Sequence, residues 1–159
     1  MSGRATVINV PNALKAKVGG GLAALNADAI AAAEAALKEL AGNFSQWLDD
    51  EIVKLETARS AIRAQGLTLQ TTEALYLRAH DLKGLGATYE FPLVSRIAGS
   101  LCKLIDDPQK RLTAPMVLVD AHIDAIKAAV RGDIRDEDHP VGRVLCAELE
   151  SRVREHTDA

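Results

Sequence analysis

Apolar residues recur along this chain at steps of three and four, the spacing of one buried helical face, and the interruptions predict where each helix ends. Leu22, Leu25, Ala29, Ala33, Leu37 and Leu40 mark a first helix that Gly42 would stop. Asn43 is placed to cap a second, with Phe44, Leu48, Ile52, Leu55, Ala58 and Ile62 on its stripe and Gly66 at its end. Thr71 or Thr72 caps a third, in which Leu75, Ala79, Leu82 and Leu85 or Gly86 face inward as far as about Tyr89. Pro92 suits the opening position of a fourth, carried by Leu93, Ile97, Leu101 and Leu104. After Asp106-Asp107-Pro108, Thr113 caps a fifth through Met116, Val119, Ile123, Ile126 and Val130, stopped at Gly132. The charged run Asp133 to Asp138 is a loop, and Val141, Leu145, Leu149 and Val153 set out a last helix over 140–155. No segment alternates strictly in the manner of a half-buried strand, and no repeat recurs at a fixed period. The expectation is an all-α, up-and-down bundle, preceded by a flexible lead-in over 1–21 with Pro11 and Gly19-Gly20-Gly21.

Composition narrows the function classes. A chain of 159 residues is one domain by length. Hydrophobic residues make up 48% but only five are aromatic (Phe44, Trp47, Tyr76, Tyr89, Phe91), so aliphatic side chains on packed helices must fill the core. A net charge of −3 and a pI near 5.8 lack the basic excess of a nucleic-acid binder. Cys102 and Cys146 make no disulfide framework. No stretch approaches the roughly 20 apolar residues of a membrane span, and the first residues lack a signal peptide's apolar centre, so a cytoplasmic location is expected.

The third helix carries the chemistry. Gly84 and Gly86 lie inside it, each costing roughly 1 kcal/mol relative to alanine. His80 sits beside the apolar stripe, with Tyr76 and Leu77 behind it on its face and Lys83 and Gly84 ahead. Gly84 leaves bare backbone one turn from the imidazole, so a bulky group can approach the ring. Lys83 brings an ammonium within reach of arriving negative charge. Gly86 is read as a glycine for close helix packing. An imidazole is a competent nucleophile near neutral pH, and the arrangement suits one that takes a phosphoryl group from one protein and gives it to another. Tyr76, Leu77 and Ala87 would form an apolar rim for docking, or Tyr76 and Leu77 would simply extend the core.

At these residues the chain resembles a known family. His80-Asp81-Leu82-Lys83-Gly84 is similar to the His-x-x-Lys-Gly core of histidine-containing phosphotransfer (HPt) domains, and Ala87-Thr88-Tyr89-x-Phe91 is similar to the same stretch of the phosphoacceptor domains of chemotaxis-type histidine kinases. Where the family often has a glycine, ten residues after the histidine, this chain has Glu90. The resemblance implies a four-helix bundle built from 43–65, 71–89, 92–105 and 114–131, with additional helices at 22–40 and after 139. It implies a relay in a two-component pathway, in which His80 is the phosphoacceptor, Lys83 stabilises phosphoryl charge and Gly84 gives clearance. The partners would be response-regulator receiver domains or a sensor histidine kinase, and Mg²⁺ would sit on the receiver, with no intrinsic cofactor or metal.

No GxxxxGK[ST] loop is present, so the chain would be a phosphocarrier and not an ATP-dependent kinase. His122, His139 and His156 lack Lys and Gly at the same offsets and read as structural or surface residues. Two readings of other classes stand beside the relay. One is a helical adaptor that binds partner proteins. The other is a metal-binding bundle using pairs such as Asp136 with His139 or Glu73 with His80, although the repeated Glu-x-x-His of a di-iron bundle is missing. Periodicity leaves open the oligomeric state and the role of the helix after 139.

Overall fold

A computed structural model describes residues 12–158; the first eleven residues of the expected lead-in lie outside them, and its remaining residues 12–21 are helical where a flexible segment was expected. The described residues are all-helical, with no strand: α1 (Asn12–Gln65), α2 (Leu69–Thr88), α3 (Pro92–Leu104), a 3-10 turn (Lys110–Thr113), α4 (Met116–Arg131) and α5 (Pro140–Thr157). None of these helices is long and apolar enough to cross a membrane.

Five helices stand where six were expected, because 22–40 and 43–65 belong to one helix of 54 residues. Gly42 does not act as a stop. A glycine can end a helix by taking a left-handed φ, as Gly66 does with φ 84° at the end of α1, but Gly42 stays inside the helix. Asn43 is accordingly an interior residue and not a cap. Contacts nevertheless divide the chain at this point, into one unit up to Gly42 and another from Asn43 onward. In the first, every described side chain, from Asn26 to Gly42, is exposed.

The second unit holds the core. Leu48 and Leu55 from α1, Leu75, Ala79 and Leu82 from α2, and Val119, Ile123 and Ile126 from α4 are buried together with most of α3. α3 packs against α2, α4 and α5. α5 contributes Cys146, Leu149 and Val153 to the same cluster, which answers whether the last helix completes this chain's own core. Gly142 makes its approach possible, since a Cβ there would stand 3.1 Å from Leu93 Cδ2 and from the Asp136 carbonyl. Across the other side of the core, buried Arg59 on α1 donates to Glu56 on its own helix and to Asp120 and Asp124 on α4, and Lys127 donates to Glu56 at 2.7 Å. Burial alone would raise the Glu56 carboxyl, but these hydrogen bonds overcome it and hold the group below its usual range.

Two caps differ from expectation. α2 starts earlier than Thr71 or Thr72 would allow, because Thr68 is its cap: the Thr71 N–H donates to Thr68 Oγ1 at 3.1 Å, and the Thr68 N–H donates back to Thr71 Oγ1 at 3.0 Å. α4 starts later than Thr113, which belongs to the 3-10 turn. Pro115 disfavours helical geometry in the residue before it, and Ala114 is extended with ψ 136°. Pro92 and Pro140 both open their helices, as Pro92 was expected to.

α2 ends in a Schellman turn, with the Glu90 N–H on the Ala87 carbonyl (3.1 Å) and the Phe91 N–H on the Gly86 carbonyl (2.8 Å). Glu90 has φ 67°, so the position of departure from the family pattern adopts a conformation glycine takes without strain. Its carboxylate meets Arg135 Nη1 at 3.2 Å, an exposed ion pair of small worth. Glu90→Gly is expected to raise stability by up to about 1 kcal/mol, whereas Glu90→Ala, which keeps the strain and loses the ion pair, is not. Urea unfolding of the two variants checks this, and a gain for alanine equal to that for glycine would contradict it.

Candidate functional site

α2 turns Leu75, Ala79, Leu82 and Gly86 into the core, which leaves His80, Lys83 and Gly84 on its exposed side. Among the described residues the His80 imidazole has no hydrogen-bond partner, and its nearest aromatic neighbour is Tyr76, with ring centroids 6.0 Å apart. Tyr76 is half-buried and held from its other surroundings by Arg111, whose guanidinium lies 4.3 Å from the ring centroid. Arg111 is itself buried and donates through Nε to the Ile105 carbonyl and through Nη2 to the Asp106 carbonyl. The ring beside His80 is therefore fixed by the chain that leaves α3, through a residue that periodicity did not single out. Leu77 and Ala87 are exposed on α2.

Gly84 is open: a Cβ there would meet nothing within 4 Å. Gly86, two residues on, is closed, since a Cβ would stand 2.6 Å from Ser95 Oγ and 2.7 Å from Ser95 N. The Ser95 hydroxyl also accepts from the Ala87 N–H at 2.7 Å. The second glycine thus belongs to the crossing of α2 and α3, and the first leaves free backbone beside the imidazole.

Lys83 lies along α3, its stem 3.8 Å from where a Cβ on Gly99 would be. It lines a cleft of about 660 Å³ together with Arg96, Lys103, Lys110, Glu150 and Arg154. Arg96 is engaged with Glu150 (Nε to Oε1, 2.8 Å), and that hydrogen bond, against the opposing effect of burial and helped by the field of Arg96, Lys103 and Arg154, holds the Glu150 carboxyl below its usual range. Lys83, Lys103, Lys110 and Arg154 form no ion pair among the described residues. These cations come from three helices and a turn, and no spacing in the sequence unites them.

His122, His139 and the two cysteines are spoken for, while His156 is exposed and lines the same cleft as Lys83. His122 is fully buried, with Nδ1 2.7 Å from the Leu118 carbonyl and Nε2 2.9 Å from Ser100 Oγ. The carbonyl can only accept, so Nδ1 carries the proton and Nε2 accepts from the serine hydroxyl. Burial lowers the pKa of this ring against the opposing effect of the Leu118 carbonyl. His139 is the N-cap of α5, its Nδ1 accepting from the Val141 N–H at 3.1 Å. Burial pushes the Cys102 thiol up to about 11 and the Cys146 thiol upward, leaving both protonated near neutral pH. Among the described residues no three His, Cys, Asp or Glu side chains are grouped to hold a metal ion, so Asp136 with His139 and Glu73 with His80 gain no third ligand.

Comparison with family models, with curated proteins and with solved structures returns no match.

Proposed function

We propose that residues 43–158 form a histidine phosphotransfer module of a two-component phosphorelay, with His80 as the phosphoacceptor. The observation that carries this reading is an exposed imidazole in the middle of a helix, with an exposed lysine three residues on and an open glycine four residues on. The helices support it too: residues 43–65 of α1 with α2, α3 and α4 offer the four spans that the HPt resemblance implies, and α5 is an addition packed on α3 and α4.

In this reading the unprotonated ring nitrogen of His80 attacks the phosphorus of an aspartyl phosphate on a receiver domain. An N–P bond forms, the P–O bond to the aspartate breaks, the carboxylate leaves, and the other ring nitrogen sheds its proton to water. The reverse sequence loads the next receiver. The exposed Lys83 ammonium offsets charge on the phosphoryl oxygens, and Gly84 admits the partner's backbone. The partner supplies Mg²⁺ and the acidic pocket. The sequence carries no GxxxxGK[ST] loop, so in this reading phosphate arrives already activated.

The experiment is transfer from a panel of phosphorylated receiver domains and sensor kinases. Wild type is expected to acquire label that is stable in alkali and labile in acid, His80→Gln none, and Lys83→Ala label about tenfold more slowly. Equal labelling of His80→Gln, or no label from any donor on folded protein, would overturn the assignment and favour a helical adaptor.

A further inference from the structure

The described side chains of the first unit of α1, Asn26 to Gly42, form no core. Ile30, Leu37 and Leu40 are 58%, 65% and 41% exposed, and no described residue from Asn26 to Gly42 is buried. An isolated helix of this kind is marginal in water, and an apolar stripe on it lacks the packing that normally sustains a helix. The stripe also has a particular period. Ile30, Ala33, Leu37 and Leu40 are separated by three, four and three residues, and the sequence carries the same register back to Asn26 and Ala23. That is the a and d pattern of a heptad, the narrow seam by which two helices supercoil, over three successive repeats.

We infer that this segment pairs with the same segment of a second copy of the chain, as a two-stranded coiled coil. The flanks of the seam identify the occupant. From Asn26 onward the positions beside a and d are Ala27, Ala29, Glu34, Ala36 and Ala41, while Asp28, Lys38 and Glu39 fall on the outer positions; Leu22 and Leu25, before them, lie off this seam. A different helix with charged flanks would find almost nothing to pair with, whereas a second copy brings no row of like charges against its own. Small flanks also let the two backbones approach. Asn26 is a polar residue at a seam position, a placement that fixes register.

Sedimentation equilibrium of the full chain, over a range of micromolar concentrations, tests the inference. Wild type is expected to show a dimer mass, and Leu37→Glu/Leu40→Glu to raise the dissociation constant at least about a hundredfold. Both side chains are exposed within one chain, so this variant keeps the core from Asn43 onward. Its unfolding midpoint is expected to match wild type while its far-ultraviolet helical signal falls by the contribution of this segment. Leu37→Met/Leu40→Met is expected to remain dimeric, and so is His80→Gln, which separates this result from the fate of the phosphotransfer reading. A wild type that stays monomeric throughout, whether alone or bound to another protein's helix, would overturn the inference, as would a dimer that the glutamate pair leaves intact.

Discussion

Gly86→Ala is expected to destabilise the protein by about 2 kcal/mol, and Gly84→Ala, two residues earlier on the same helix, to stabilise it by up to about 1 kcal/mol. Alanine gains about the same helix propensity at both positions, so the difference lies in what the added methyl meets. At Gly84 it meets open space. At Gly86 it meets the backbone N of Ser95 at 2.7 Å and the Phe91 carbonyl at 3.1 Å, atoms of the first turn of α3 that move only if the two helices part. Parting them also stretches the hydrogen bond from the Ala87 N–H to Ser95 Oγ. Urea unfolding of the two variants measures the contrast directly, and shifts of the same sign would remove the argument. A gain at Gly84 would show that the glycine beside His80 gives up stability that alanine supplies.

Stability is expected to fall as pH drops below about 6.5, at up to about 1.4 kcal/mol per pH unit, because of His122. Burial holds this ring's pKa below its ordinary value. Once the chain unfolds, the ring takes a proton near pH 6.5 that the folded protein refuses until a lower pH. The full contribution is therefore present above the unfolded value and is lost as pH falls toward the folded one. Glu56, Asp107 and Glu150 are also held below their usual range, but they come into play at lower pH than the window from 6.5 to 5. Chemical denaturation across that window, with His122→Gln alongside, isolates the effect. A slope that persists unchanged in the variant would assign it elsewhere.

Much of the helical pattern was legible because burial here largely follows one face of each core helix: the inward residues expected for α2, α3 and α4 are buried except Met116 and Val130, which are partly so, while Val141 of the α5 stripe is exposed. The exposed placement of His80 and the packing role of Gly86 follow from the same count of turns. What periodicity missed was set by local hydrogen bonding. Thr68 outcompetes Thr71 as a cap because Thr71 is its reciprocal partner, and Pro115 delays α4 past Thr113. Gly42 was misread as a stop because a glycine's identity permits a left-handed turn without requiring one. The setting of the site was invisible for a different reason. Arg111 reaches Tyr76, and Lys83 meets Lys103, Lys110 and Arg154, only through tertiary packing of distant segments.

That gathering of cations gives the molecule an electrical orientation that its net charge of −3 conceals. Far away, another acidic body meets a weakly repelling object. Within about 8 Å, the screening length at physiological salt, it meets a cleft in which four cations outside any ion pair and the Arg96–Glu150 pair stand beside a single further carboxylate, Asp106. The torque of that local field acts before any side chain touches, and it turns the flank of α2 that bears Lys83 toward an anionic visitor. Encounters are thereby sorted by direction, and added salt weakens the sorting while leaving the helices and their core as they are.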